Sequence, residues 1–207
     1  MPLDQRRGSR SLAVTLSQRR LLPPEVQGTP DEPRVSGIVL AGVLDYYAKV
    51  WGKLAEADLR KTMGLGDIYV GSWYPLENLE MILRKIWQET PTRMELAGEH
   101  TSKLIGDERR YDRKFYTPEQ MLQETQEAWT HSFSFGVPEV ELVPGQTRIA
   151  VPRRGFAGPY WESFLKGGIA GMLSLSKAIE SEIEIESKVD DDKDQFVYIF
   201  RTKKGAR

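Results

Sequence analysis

Cysteine is absent from all 207 residues. Its absence excludes disulfides, thiolate zinc sites and a cysteine nucleophile, and it suits a reducing compartment. Histidine is nearly as scarce: only His100 and His131 occur, and never in the H-E-x-x-H spacing that brings two imidazoles onto one zinc ion. A formal net charge of −1 leaves no positive excess for general binding to nucleic acid. No run approaches the ~20 consecutive apolar residues of a bilayer-spanning helix. A G-x-S-x-G elbow is missing as well. With those chemistries removed, no nucleophile, base and stabiliser can be assembled, and the sequence predicts a soluble, cytoplasmic protein that is not an enzyme.

What remains is ample for folding. Hydrophobic residues make up 40% of the chain and charged residues 29%, the balance of a protein with a real core and a solvated surface. Residues 1–34 stand apart. Arg6, Arg7, Arg10, Arg19 and Arg20 face only Asp4 among early acids, and Pro23, Pro24, Pro30 and Pro33 then interrupt regular structure. This reads as a flexible basic tail that can serve as a contact for a protein partner, or as a targeting segment. Residues 35–207 read as a single α+β domain.

Helical periodicity dominates the first part of that domain. "VSGIVLAGVLDYYAKVWG" places Ile38, Val39, Val43, Tyr46, Tyr47 and Val50 on one face, with Gly52 as a stop. "LAEADLRKTMGL" supplies a short second helix. "WYPLENLEMILRKIWQET" puts Leu79, Ile82, Leu83, Ile86 and Trp87 at helical spacing, with Pro75 in its first turn. Further helices are predicted over 92–105 and 117–131, the latter capped by Thr117 with Gln120 three residues on.

The period then changes. "EVELV" and "TRIAV" flank Pro144-Gly145, which suits a type II turn. "EIEIES" and "QFVYIFR" flank the acidic "DDDKD", whose spacing lacks the glycine and terminal glutamate of a calcium loop. Two hairpins joined by a helix predict a four-stranded antiparallel sheet, half-covered by helices.

Three glycines in "FLKGGIAGMLSLSKAIESEIEIESK" resemble a phosphate loop, but Lys166 precedes them and no Lys-Ser/Thr pair follows. At 100° per residue, Gly167, Gly171, Ser174 and Ala178 instead form a stripe of small residues suited to close helix packing or an interface. Aromatic residues are concentrated in the helical part. Trp51, Trp73, Trp87, Trp129 and Phe133, with His131, are candidates to line an apolar pocket between helices and sheet.

"SGIVLAGVLDYYAKVWG", the "SWYP" helix start and "YWESFLKGGIAGMLSLSKA" with its following strands together resemble the H-NOX (haem–nitric oxide binding) domains. They are also similar to vinyl-reductase-like ligand-binding domains, to vesicle-tethering subunits of the Bet3 type, and to a myxobacterial group of proteins of about 200 residues. The resemblance implies a helical half packed on a sheet half, and dimerisation by analogy with the tethering subunits. Haem-binding members carry a Tyr-x-Ser-x-Arg motif, which "IAVPRRGFAGPYWES" lacks, and a helical histidine before the first hairpin. No cofactor is therefore expected, haem being disfavoured, and no metal. The leading functional expectation is a cytosolic adaptor or signalling scaffold acting through protein contacts. The alternative is a sensor or carrier of an apolar small molecule such as a lipid, pigment or haem.

Overall fold

In a computed structural model that describes residues 32–108, 117, 120, 122, 124–143, 146–153, 155–156, 158–175 and 183–202, the two sequence periods become a helical half and a sheet half. Most of the basic tail, the Pro144-Gly145 turn and Ala178 lie outside the described residues. The tail's last residues do belong to the fold. The Pro33 carbonyl accepts a bond from Leu76 N at 3.0 Å, and Arg34 opens the first strand.

Strand β1 (Arg34–Ser36) pairs antiparallel with β2 (Trp73–Pro75), a two-stranded ribbon that the helical period of the sequence conceals. Each strand runs straight into a helix: α1 (Gly37–Trp51) follows β1 and α3 (Leu76–Glu89) follows β2. Pro75 thus precedes its helix rather than sitting in the first turn, because its extended backbone belongs to the ribbon. Helix α1 ends where Gly52 adopts φ +94°, a conformation that L side chains rarely take. The short α2 (Lys53–Thr62) follows. On α3 the residues Leu79, Ile82, Leu83 and Ile86 are fully buried, as their spacing requires.

A single 3-10 turn (Pro91–Arg93) leads into α4 (Met94–Glu108). Before α5 (Thr125–Thr130), Thr117 and Gln120 form the reciprocal capping box. Thr117 N donates to Gln120 Oε1 at 2.8 Å, and Gln120 N to Thr117 Oγ1 at 3.3 Å. The sheet half then follows: β3 (Glu139–Val143), β4 (Gln146–Pro152), α6 (Tyr160–Leu173), β5 (Ile183–Asp190) and β6 (Gln195–Thr202).

The four strands are antiparallel in the order β3-β4-β6-β5, so the hairpins meet along β4 and β6, with Ile149 opposite Tyr198. That order places the most apolar strands in the middle. Ile149, Val151, Phe196, Tyr198 and Phe200 are buried, whereas Glu184 and Glu186 of β5 are exposed. Arg201 pairs with Glu186 at 2.9 Å across β5 and β6. The acidic connection is a tight turn held by Arg153, which meets Asp191 at 2.7 Å and Asp194 at 3.8 Å.

Helix α6 links the two halves. On the sheet side, the Tyr198 hydroxyl donates to the Glu162 carbonyl at 3.0 Å, and Ser187 Oγ donates to the Glu162 carboxylate at 2.7 Å. On the helical side, α6 lies against α4 backbone to backbone. A Cβ placed on Gly167 would overlap the Glu95 carbonyl, one on Gly98 the Phe164 carbonyl, and one on Gly171 would sit 2.5 Å from the Glu99 oxygen. Lys166 spans the same seam to Glu95 at 2.9 Å, so the lysine beside the glycines neutralises a carboxylate. Ser174 closes the helix by donating to the Gly171 carbonyl at 2.7 Å.

Gly171→Leu should therefore cost about 1–3 kcal/mol or more, because the obstructing atoms are backbone. Gly66→Ala, where an added methyl meets nothing within 4 Å, should stay within about 0.5 kcal/mol. Denaturant titration of both variants distinguishes them. Burial, with Glu162 nearby, holds the Tyr198 hydroxyl well above the ordinary tyrosine value of 10.0. The unfolded chain thus loses this proton first, and the contribution of Tyr198 to stability, intact below pH about 10, declines as pH rises beyond it. Tyr198→Phe should weaken that alkaline decline in urea melts taken across the range.

Candidate functional site: an apolar cleft among four helices

Beside the close approach of α4 and α6 lies a space that no described side chain fills. Val39 of α1, Ile105 of α4, Trp129 of α5, Phe133 just beyond it, and Phe164, Ile169 and Met172 of α6 surround a cleft of about 100 Å³. Gly98 and Gly168 also line it; the side chain that Gly168 lacks helps keep it open, whereas Gly98 lets the α6 backbone approach. A Cβ on Gly168 would meet only the Ser102 hydroxyl, at 3.3 Å. Thr101, Ser102, Thr125 and Ser132 contribute the polar edge, and among the described residues no ionisable side chain lines the space.

The wall formed by α5 is rigid. Trp129 Nε1 donates to the Phe135 carbonyl at 2.7 Å, and its ring lies 4.6 Å from Phe133. Phe133 and Trp129 both meet Phe156 edge-on, at 5.9 and 6.0 Å, and Phe156 packs on Trp161 at 4.5 Å. Such edge-to-face contacts add to the area that the rings bury. Val35 bridges to Phe133, which ties this wall to β1.

Of the residues that the sequence offers as a pocket, Trp129 and Phe133 are brought together at the cleft. Trp51 instead stacks on Tyr47 at 4.5 Å, Trp73 lies in β2 opposite Ser36, and Trp87 packs on the core from α3. His131 caps α5 with half of its side chain exposed, its Nε2 3.9 Å from Glu127. The cleft lies among helices rather than between helices and sheet, because α6 covers the sheet's apolar face. Sequence reasoning missed the contributions of α1 and α4, since Val39 and Gly98 carry no chemical signature. Gly168 was visible in the glycine cluster, but its role depends on what faces it.

No protein-family model matches the chain, and no curated protein matches it. Solved structures do. An H-NOX protein from S. oneidensis in the Fe(II) ligation state is similar to 83% of this chain over 98% of its own, at 14% identity and TM-score 0.64. The Fe(II)NO ligation state from the same organism gives 14% identity and TM-score 0.63, covering 81% of this chain and 99% of its own. The Fe(II) unliganded A71G mutant of the K. algicida H-NOX protein gives 15% identity and TM-score 0.61, covering 82% and 97%. The fold is thus the H-NOX fold, and these neighbours lend no support to the likeness with tethering subunits.

The same neighbours correct the expectation of no cofactor. The fold is shared by proteins whose structures are described by the ligation state of Fe(II), so a cofactor-free role is not its default. Axial iron ligation calls for an imidazole, thiolate, thioether or phenolate. Of those, the described lining presents only the Met172 thioether. His100 Nε2 is engaged with Asp45 at 2.8 Å, across the α1–α4 seam. His131 faces Glu127 outside the cleft, so the described lining does not reproduce a histidine-ligated iron site. Among the described residues, no three His, Asp or Glu side chains gather as a metal site either. No described helix is long and apolar enough to cross a membrane.

Proposed function

We propose that this chain is a non-enzymatic sensor or carrier whose cleft holds a small apolar molecule. The observation that supports this most is the cleft itself: its described lining is apolar and uncharged, it is walled by packed aromatic rings, and it is left open where Gly168 lacks a side chain. Burying apolar ligand surface there is favourable without any specific bond. The H-NOX fold supports the same reading, because the neighbouring proteins are characterised by what they bind. At about 100 Å³ the space suits a single ring or a short chain, and a lipid or a full pigment would require it to widen.

A cytosolic adaptor is the weaker reading. The stripe of small residues that a partner helix could use is occupied by α4, with Gly167 and Gly171 directly against its backbone.

Benzene is a suitable first probe. At ten times its dissociation constant it should raise the melting temperature by about 3–6 °C. Ala128→Phe, which places a ring in the cleft from α5, should retain a cooperative transition and lose that rise. An equal rise in both proteins, or none in the unmodified chain, would contradict the proposal.

A further inference from the structure

Thr125 stands out along the cleft. It is the first residue of α5, only 6% exposed, and its hydroxyl has no hydrogen-bond partner among the described residues. Two of the other hydroxyls along the cleft are already engaged. Thr101 Oγ1 donates to the Ala97 carbonyl at 2.8 Å, and Ser132 Oγ donates to the Ala128 carbonyl at 2.9 Å. A buried hydroxyl without a partner is unfavourable, and the surrounding apolar side chains offer it none.

We infer that the cleft selects ligands that carry one hydrogen-bonding group on an otherwise apolar body, with the Thr125 hydroxyl as the anchor. A phenol or a compact alcohol has that chemistry. Its hydroxyl donates to Thr125 Oγ1 or accepts from it, while the ring lies against Trp129, Phe133 and Ile169. A ligand with several polar groups would leave some of them unpaired, because no charged side chain among the described residues lines the space. This inference rests on the cleft being a binding site, and it adds the ligand class and the residue that reads it.

Calorimetric titration of the full chain with benzene and with phenol tests it, repeated on Thr125→Val, which keeps the shape and removes the hydroxyl. Phenol should bind the unmodified protein more tightly than benzene. Thr125→Val should weaken phenol about two- to tenfold, the range of one neutral hydrogen bond, and leave benzene unchanged. Equal affinities for phenol in the two proteins, with benzene still bound, would overturn the anchor and spare the cleft. Failure of both probes to bind the unmodified protein would overturn the cleft reading itself. Equal loss of both probes in Thr125→Val, with its melting temperature unchanged, would make Thr125 a wall residue only and would also overturn the anchor.

Discussion

The backbone contact between α4 and α6 is the constraint on which the other packing depends. Helices that meet through side chains stand about 8–10 Å apart. Gly98, Gly167 and Gly171 remove the atoms that would hold these two at that distance, so carbonyls occupy the space where Cβ groups would otherwise lie. On its other side α4 meets α1 in the same way, because a Cβ on Gly42 would come within 2.9 Å of the Thr101 methyl. Three helices are thus set by glycine-mediated contacts. Their spacing cannot relax to fill the neighbouring gap without separating backbone from backbone.

The cleft follows from that rigidity. Packed interiors normally leave few voids, since side chains adjust until the space is filled. Here the helices are fixed from one side by glycine contacts and from the other by the sheet, through the bonds of Tyr198 and Ser187 to Glu162. The aromatic wall is fixed separately by the Trp129–Phe135 bond and by Phe156. The space left among these elements is apolar because the faces that meet there are core faces, and among the described residues it carries a buried unsatisfied hydroxyl because Thr125 opens its helix inside the core.

Much of the fold was legible because its signals are local. Helical spacing located the buried faces of α1 and α3, the Thr117–Gln120 pair marked a cap, and Ile/Glu alternation marked β5. The short ribbon of β1 and β2 was not legible. Three residues at the edge of a helical pattern give no period of their own, and their pairing is set by distant contacts such as Val35 with Phe133. The candidate site was legible only in part. Trp129 and Phe133 are large and conspicuous, whereas Val39, Gly98 and Thr125 gain their roles from what faces them. The expectation of no cofactor came from missing motifs, and the H-NOX fold, shared over 83% of the chain, overrules it as a starting point.

The proposed ligand site is a product of this helical packing. Methyl-resolved NMR of the full chain titrated with benzene tests that claim most directly. The predicted result is saturable shifts centred on Ile105, Ile169 and Met172, with Ile199 on the sheet unmoved. Shifts centred on the sheet, or none at saturating benzene, would contradict it.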